Sequence, residues 1–394
     1  MAASAPILIA GGGIGGLALA VALARIGRAS IVLEQRGAFT GAGAGIQLGP
    51  NGVRVLERLG VSEALRPLAG VPQSVRVHDG RSGRVLAELP LGHWLAARHG
   101  APYWVAHRAD LARVLSEAAA ADRSIVLRPG FAVAEVRQTA DGVAVTSAAG
   151  ETAAGGALVG ADGLWSRVRA AVSPEAAPQF VGATATRTVV SAGRAGALAA
   201  PAVGLWLTRS AHVVHYPVRG GAEIAVVVIA AEDWQGQEWD AEVDSARLLA
   251  RLGGFHPKLT EALAAAADWR RWGLYRLPPL ARWSAGRLAL MGDAAHPMLP
   301  YLAQGGVLAL EDAQVLARCL AEWAADPAAA FARFEAERRQ RAERVQAASR
   351  RQGRIYHLPP PASWARDAAL RLLPGRWLMA GYDWLYGWRG EPTE

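Results

Sequence analysis

Residues 6–34 have the sequence PILIAGGGIGGLALAVALARIGRASIVLE, and the fold follows from this stretch. The continuous apolar run at 6–10 is bounded by glycine, as a buried strand is. Residues 14–26 predict a helix packed closely against that strand, and residues 30–34 predict a second strand. The stretch is therefore predicted to be a strand–helix–strand unit of the kind that builds parallel α/β sheets.

The glycines between the first strand and the helix form the pattern G-x-G-x-x-G. In this pattern Gly11 permits a tight turn, Gly13 lets a pyrophosphate approach the backbone, and Gly16 lets helix and strand pack. Glu34 ends the next strand, where a carboxylate accepts hydrogen bonds from a ribose. The pattern predicts a dinucleotide site, either for NAD or for FAD. The expected cofactor-binding residues of this motif are Gly11, Gly13, Ile14, Gly15 and Gly16.

The composition argues against a nucleic-acid partner. The chain has 394 residues and a formal net charge of +8, but all of its 42 basic residues except Lys258 are arginine. That proportion indicates a compositional bias rather than a binding surface. The dense basic run at 333–354 alternates arginine with glutamate, which predicts a solvated helix face.

The sequence also bears on where the protein resides in the cell and on whether it binds a metal. The uncharged segment 5–24 is long enough to cross a bilayer, but its glycine-rich centre fits the nucleotide motif better and no basic start precedes it. The single cysteine, Cys319, allows no internal disulfide and no CxxC pair, which favours a reducing compartment. We therefore expect a cytoplasmic protein without a membrane segment. The histidines show no metal-ligand spacing, so no metal is expected.

Two later segments narrow the cofactor choice. Residues 160–169 read GADGLWSRVR, and residues 286–297 read GRLALMGDAAHP. Together with the first motif they resemble the flavoprotein aromatic hydroxylases, the single-component FAD monooxygenases. The D-G-x-x-S-x-x-R pattern of that family is matched from Asp162 to Arg169, and its G-D motif is matched at Gly292-Asp293. Segments 43–51, 107–111 and 304–313 match in the same order. The salicylate and 3-hydroxybenzoate hydroxylase branch and the 6-hydroxynicotinate monooxygenases are the most similar.

The resemblance implies an α/β fold with a discontinuous Rossmann-like FAD-binding domain, an inserted β-sheet substrate domain and a helical C-terminal segment. Alternating β-branched stretches at 180–232, with a hairpin turn at 219–221, predict the second sheet independently. The expected domain limits are 1–75, 103–178 and 280–345 for the FAD-binding domain, 76–102 and 179–279 for the substrate domain, and 346–394 for the C-terminal segment.

The resemblance also implies roles for cofactor-binding residues. Asp293 would contact the ribityl chain, Arg108 would contact the cofactor, and Asp162 would tie the pyrophosphate region to the G-D loop. Without a ligand, these residues could instead be a helix N-cap, a surface arginine and a turn residue. The positive end of the helix that follows Gly305 and Gly306 would face the flavin. The remaining expected cofactor contacts are Glu34, Arg36, Ile46 and Gln47.

His212 and Tyr216 are the candidate catalytic residues. They lie at even spacing on a predicted strand, so they face the same side, while His215 faces the other. In the resembled branch a histidine and a tyrosine at this spacing line the substrate pocket, where histidine can take a phenolic proton directly or through tyrosine or water. The alternative is a satisfied core histidine and a packing tyrosine.

The function implied is hydroxylation of a small phenolic or heteroaromatic, carboxylated ring through a flavin C4a-hydroperoxide, with FAD, dioxygen and NADH or NADPH. The protein would be a monomer or a homodimer. A halogenase would need a W-x-W-x-I-P signature, which Trp384–Trp388 does not match. An FAD-dependent dehydrogenase or oxidase, or a non-catalytic flavin-binding protein, stays open. The substrate, the choice of nicotinamide nucleotide and any decarboxylation are not specified by the residues.

Overall fold

The computed structural model describes residues 5–39, 45–234, 236 and 240–390; Gly43 and Ala44 of the matched segment 43–51 lie outside them. The strands of the described part are β1 (Ile7–Ala10), β2 (Ser30–Glu34), β3 (Gly45–Leu48), β4 (Ser74–Asp79), β5 (Val85–Pro90), β6 (Trp104–His107), β7 (Ile125–Pro129), β8 (Val133–Gln138), β9 (Val143–Ser147), β10 (Thr152–Gly155), β11 (Ala157–Gly160), β12 (Gln179–Ser191), β13 (Ala202–Leu207), β14 (Ala211–Val218), β15 (Glu223–Ala231), β16 (Ala241–Glu242), β17 (Arg270–Arg276), β18 (Ser284–Ala285) and β19 (Leu288–Leu290). The helices are α1 (Ile14–Arg25), α2 (Pro50–Arg58), α3 (Ser62–Leu65), α4 (Gly92–His99), α5 (Arg108–Ala120), α6 (Val168–Val172), α7 (Ser245–Arg251), α8 (Pro257–Ala264), α9 (Gly305–Glu322), α10 (Pro327–Tyr356), α11 (Ala362–Leu372), α12 (Gly375–Ala380) and α13 (Asp383–Tyr386).

A six-stranded sheet in the order β18-β19-β11-β1-β2-β7 carries the first part of the fold, and only its edge strand β18 is antiparallel. The predicted strand–helix–strand unit is present as β1, α1 and β2. Because β19, β11, β1 and β2 are adjacent and parallel, their carboxyl ends meet at one edge. The G-D motif, the D-G motif, the glycine turn and Glu34 follow or end these four strands. The sheet therefore brings together motifs that lie up to 280 residues apart in the chain.

An eight-stranded sheet in the order β16-β17-β12-β15-β14-β13-β4-β5 forms the second part. Its strands come from two separate stretches of the chain, 74–90 and 179–276. The pair β13–β4 is parallel, and all other strand pairs of this sheet are antiparallel. The predicted α/β class with an inserted β-sheet is confirmed by this arrangement and by the structural relatives described below. The exact domain limits stay a prediction.

Helix α10 runs without a break across the limit predicted between the FAD-binding domain, with its end at 345, and the C-terminal segment, with its start at 346. The prediction that 333–354 is a solvated face is wrong at Arg338, whose side chain is only 1% exposed. Its guanidinium lies between two fully buried carboxylates of α9, Glu311 and Asp312. Of the described helices, none is long and apolar enough to cross a membrane.

Candidate active site

A cavity of about 340 Å³ lies between the carboxyl edge of the parallel sheet and one face of the eight-stranded sheet. The motif loops form one wall, which includes Gly13, Asp293 and Gly305. Strands β12, β14, β15 and β17 form the opposite wall. The charged side chains among the described lining residues are Arg108, Arg187 and Asp293. In the described part of the chain, no cluster of His, Cys, Asp and Glu side chains could hold a metal ion.

The glycine turn after β1 has one open position between two tightly packed ones. Gly11 has φ +101°, and a Cβ there would lie 2.4 Å from the carbonyl oxygen of Ala161. A Cβ on Gly16 would lie 1.9 Å from the Gly11 carbonyl oxygen, so both positions require glycine. A Cβ on Gly13 would meet nothing within 4 Å, and Gly13 lines the cavity. The backbone is therefore bare where it faces the cavity.

Glu34 secures the same turn from the neighbouring strand. Its carboxylate accepts hydrogen bonds from the backbone N–H groups of Gly12 at 2.7 Å and of Arg36 at 2.9 Å, and it is 7% exposed. A carboxylate offers about four lone-pair positions, so Glu34 retains capacity for a ribose hydroxyl. The side chain of Arg36 is exposed, and the described bond of this residue to Glu34 is made by its backbone.

Asp162 caps the segment that leads into α6. Its carboxylate accepts hydrogen bonds from the Ser166 hydroxyl at 2.5 Å and from the N–H groups of Arg167 at 2.7 Å and Val168 at 3.2 Å. Ala161 and Gly163 line the cavity on either side of it, whereas Asp162 does not. These bonds show the turn chemistry considered for Asp162; its contact with the cofactor stays a prediction.

Arg169 ties the D-G and G-D segments together. Its guanidinium donates to the carbonyl oxygens of Leu164 at 2.6 Å and of Ala294 at 3.1 Å. The residue is 4% exposed, so these bonds are shielded from water. The two motif loops are therefore held at a fixed spacing by a side chain that belongs to one of the motifs.

Asp293 opens into the cavity. It accepts no hydrogen bond from the described residues, and the considered role as an N-cap is not seen in these contacts. Surrounding protein raises the pKa of Asp293, and the nearby Arg108 guanidinium opposes that rise. Burial likewise lowers the pKa of Arg108, against the effect of Asp293. Among the described residues, the Asp293 carboxylate thus lines the cavity without a hydrogen-bond donor, and its contact with the ribityl chain stays a prediction.

The N-terminus of α9 is held at the cavity by a buried ionic network. Asp312 accepts hydrogen bonds from the Gly292 N–H at 2.9 Å, His296 Nε2 at 2.6 Å and Arg338 Nε at 2.7 Å. Burial raises the pKa of Asp312, but His296 and Arg338 outweigh it and hold that pKa well below its usual range. The network fixes the G-D loop against α9, whose first residues, Gly305 and Gly306, line the cavity.

Ile46 and Gln47 complete this wall from β3. A Cβ on Gly306 would lie 2.7 Å from Ile46 Cδ1, so the helix and β3 are in close contact. Gln47 accepts a hydrogen bond from the Tyr103 hydroxyl at 2.7 Å. Both residues line the cavity, together with Gly45.

Tyr216 and His212 lie on the same face of β14, but only Tyr216 is among the described lining residues. Tyr216 is 3% exposed, and burial raises its pKa while Arg108 and Arg187 oppose the rise. His212 is 1% exposed and lies four residues before Tyr216 on β14, opposite Ile229 of β15, which does line the cavity. His212 is therefore at the border of the cavity, under the ring of Tyr301.

Arg187 and Trp272 were not foreseen from the sequence. Arg187 lines the cavity from β12, donates to Asp240 at 2.8 Å and lies 4.8 Å above the ring of Trp272. Burial lowers its pKa, and the bond to Asp240 opposes this. Its only sequence signal was an arginine inside a β-branched strand, at an even spacing from Ala185. The spacing alone does not show that this face of β12 lines a cavity; that follows only from the strands paired with it.

Known proteins resemble this chain over nearly its whole length. Residues 4–349 match the family described as FAD binding domain. The chain is 38% identical to 3-amino-4-hydroxybenzoate 2-monooxygenase PtnB3 of Streptomyces platensis, over 98% of this chain and 97% of that protein. It is 36% identical to 3-hydroxybenzoate 6-hydroxylase of Klebsiella oxytoca, over 98% and 97%. The crystal structure of Klebsiella pneumoniae HpxO complexed with FAD and uric acid superposes with a TM-score of 0.85, at 28% identity and 95% coverage of both chains.

These relatives do not favour a dehydrogenase, an oxidase or a non-catalytic flavin protein. They are monooxygenases, and they match the chain over nearly its whole length. The chain belongs to the FAD binding domain family and is an FAD-dependent aromatic monooxygenase.

Proposed function

We propose that this enzyme hydroxylates a small phenolic or heteroaromatic ring that carries a carboxylate, with NADH or NADPH as the reductant. The observation that carries the proposal is Arg187, a buried cation beside an apolar floor made by Val214, Val227 and Ile229. A planar ring fits the floor, and a carboxylate fits the guanidinium. The relatives named for 3-amino-4-hydroxybenzoate and 3-hydroxybenzoate act on carboxylated phenols, which supports the same class here.

The residues of the motif wall fit an FAD. The bare backbone at Gly13 would accommodate the pyrophosphate, Glu34 would hold a ribose, and Asp293 would accept from the ribityl hydroxyls. The α9 N-terminus presents free N–H groups and a positive dipole end to the ring, which favour negative charge there. Bound FAD supplies the activation of dioxygen at the expense of NAD(P)H. The chain supplies orientation, shielding from water and control of the substrate's protons.

We expect Asp293→Ala to weaken FAD binding by about tenfold or more, because a hydrogen bond to a charged group contributes about 1.5–3 kcal/mol. The thermal stability of the apo-protein should change little, since Asp293 has no hydrogen bond within the described residues. Fluorescence titration with FAD and thermal unfolding of the apo-protein give the two quantities.

Asp162→Ala is the control, and it should destabilise the apo-protein because it removes three intramolecular hydrogen bonds. Equal losses of apo-stability and FAD affinity in Asp293→Ala would contradict the assignment. Acid precipitation should release the flavin, as non-covalent binding requires.

The strand register supports a substrate carboxylate at Arg187 and a ring hydroxyl near His212. Arg187, Val227 and Val214 lie side by side on three strands, and Ala185, Ile229 and His212 form the next row on the same face. Strands are about 4.8 Å apart and same-face residues about 7 Å apart, so Arg187 and His212 are separated by about 12 Å at their Cα atoms. After allowance for the two side chains, this spacing suits one six-membered ring with a carboxylate at one end and a hydroxyl at the other.

We propose that Tyr216 and His212 act on the ring hydroxyl. Burial keeps the Tyr216 hydroxyl protonated, so it can donate a hydrogen bond to a ring oxygen. Burial lowers the pKa of His212 to about 3, so its imidazole is neutral. An unprotonated ring nitrogen can then take the hydroxyl proton, directly or through one water, provided that the resulting positive charge does not stay on His212. Removing that proton makes the ring electron-rich at the carbon to be hydroxylated.

We expect Arg187→Met to lower kcat/KM for a carboxylated substrate by about 10- to 100-fold, the effect of a lost charge-assisted hydrogen bond. The corresponding carboxamide, which carries no charge, should be affected much less. Arg271→Met is a matched control, because Arg271 lies on the neighbouring strand β17, binds Glu232 at 2.8 Å and is absent from the described lining residues. Steady-state rates with the acid and the amide give the comparison, and equal losses for both would contradict a carboxylate anchor.

The experiment that tests the function as a whole is oxidation of NADH and of NADPH with a panel of aromatic acids. Product identification by mass spectrometry with ¹⁸O₂ should show one labelled oxygen atom in the ring. Failure of every aromatic acid to stimulate nucleotide oxidation would contradict the proposal. We further propose that the enzyme is cytoplasmic and acts as a monomer or a homodimer, which fractionation and light scattering would check.

A further inference from the structure

His212 is hydrogen-bonded to a second histidine that lies far away in the chain. His212 Nδ1 is 3.0 Å from Nε2 of His357, the residue that follows α10, and His357 Nδ1 is 3.1 Å from the carbonyl oxygen of Thr208. A carbonyl only accepts, so His357 Nδ1 carries a proton. In a neutral His357 the Nε2 atom is then an acceptor, and His212 Nδ1 must donate to it. His212 Nε2 is left with a lone pair and no hydrogen-bond partner among the described residues.

The two imidazoles differ in how well they tolerate a positive charge. His212 is 1% exposed, and burial followed by the nearby His357 lowers its pKa to about 3, so its imidazolium form is strongly disfavoured. His357 is half-buried; burial lowers its pKa too, but hydrogen bonds to the carbonyls of Thr208 and Arg209 oppose that effect. A proton that arrives at this pair is therefore better placed on His357.

We propose that His357 is a positioning residue that acts through His212, fixing its tautomer and receiving its Nδ1 proton when the substrate hydroxyl ionises. This inference rests on the proposed function, in which His212 takes the phenolic proton. His357 lies in the segment after α10, so the C-terminal part of the chain takes part in chemistry on the sheet.

The proton balance of the relay is closed. The substrate O–H bond breaks and its proton binds His212 Nε2, while the His212 Nδ1–H bond breaks and that proton binds His357 Nε2. His212 remains neutral as the opposite tautomer, His357 becomes an imidazolium, and the ring oxygen carries the negative charge. After the ring has gained its oxygen atom, the transfers reverse, the ring oxygen is reprotonated, and both histidines regain their first tautomers.

No other described group that faces the pair titrates near neutrality. Tyr301 of the turn 300–302 and Tyr356 of α10 pack against the His212 ring, and burial raises the pKa of both. Tyr216 on the same strand has its pKa raised by burial as well. Arg366 is the charged residue near His357, and its guanidinium lowers the pKa of that histidine. A pH-dependent change in coupling therefore reports on the substrate hydroxyl and the two histidines.

The test compares His357→Phe, His357→Gln and Tyr356→Phe in the FAD-loaded enzyme. Phenylalanine removes both hydrogen bonds, and glutamine retains a donor and an acceptor but cannot hold an added proton. Tyr356→Phe keeps the ring that packs against His212 and removes only a hydroxyl that bonds the Tyr301 carbonyl oxygen rather than either histidine. The first readout is product formed per nucleotide oxidised, with peroxide release, from pH 6.5 to 9.5. The second, independent of turnover, is the His212 tautomer from long-range ¹H–¹⁵N NMR spectra, assigned with His212→Ala.

We expect both His357 variants to lose about tenfold in product per nucleotide at neutral pH and to regain coupling as the substrate phenol ionises, near pH 9–10. Tyr356→Phe should stay coupled, and His212 in the parent should be the Nδ1–H tautomer. Full coupling in His357→Gln, or an Nε2–H tautomer in the parent, would overturn the relay. If His212→Ala still forms one product per nucleotide oxidised, the proposed role of His212 is wrong. If His212→Ala loses product but His357→Gln does not, only the positioning role of His357 is wrong.

Discussion

His212→Ala is expected to lower the hydroxylation step by about two to four orders of magnitude, the usual contribution of a positioned general base. FAD binding and nucleotide oxidation should persist, because His212 lies on the sheet wall and has no described contact with the motif loops. Reducing equivalents would then pass to dioxygen without reaching the ring. Hydrogen peroxide should accumulate in place of the hydroxylated product.

The ratio of product to nucleotide consumed, measured at several pH values, separates this effect from a folding defect. A base defect should be partly relieved at high pH, where the phenol ionises unaided, whereas a packing defect should not. His215→Ala is the control on the same strand, because His215 faces the opposite side of the sheet, against Gly204. Tight coupling of His212→Ala at neutral pH would reduce His212 to a packed residue and shift the role to Tyr216.

Arg338→Met is expected to lower the free energy of unfolding by up to about 3–5 kcal/mol, the cost of breaking a buried ion pair. Asp312 would keep His296 and Glu311 would keep Arg341, but each carboxylate would lose one of its two charged partners. Arg338 binds Asp312 at 2.7 Å and Glu311 at 2.9 Å, and all three side chains are at most 1% exposed. Methionine fills much of the volume but neutralises neither carboxylate. The G-D loop and the α9 N-terminus would loosen together, so FAD affinity should fall as well.

The pH dependence of that loss follows from the carboxylates. In the parent, Arg338 and His296 hold the pKa of Asp312 well below its usual range, against the effect of burial. Without Arg338 the pKa of Asp312 rises, so the folded variant can take up a proton as the pH falls. The difference in free energy of unfolding between the parent and Arg338→Met, measured by denaturant unfolding, should therefore be smaller at pH 5 than at pH 8. Arg333→Met is the control; its side chain is 44% exposed and binds Glu337 on the surface, so a change within about 0.5 kcal/mol is expected.

The motifs of the parallel sheet could be predicted because their signals are local. The glycine turn needs no information beyond residues 6–34, since the strand, the turn and the helix follow each other directly. The shared face of His212 and Tyr216 follows from the two-residue period of a strand. In both cases the pattern repeats over a few residues and the physics acts within one element.

Arg187, Arg338 and His357 could not be assigned in the same way. Each owes its role to a partner or a cavity contributed by a different element, and arginine and histidine are usually solvated. Arg338 stands in a run that alternates with glutamate, and only one turn of α10 meets the carboxylates of α9. His357 follows α10, and its contact with His212 of β14 joins residues that are 145 positions apart in the chain.

The order of the strands has a consequence for synthesis of the chain. In the parallel sheet, β11 lies between β1, at residues 7–10, and β19, at residues 288–290. During synthesis β11 therefore lacks one of its two neighbours until residues 288–290 have been made. The ionic network that fixes α9 forms later than the β11–β19 pair, because Arg338 is synthesised after Glu311 and Asp312. Contacts this distant in sequence slow folding and leave strand edges open. The six-stranded sheet is therefore completed only after β19 has been made.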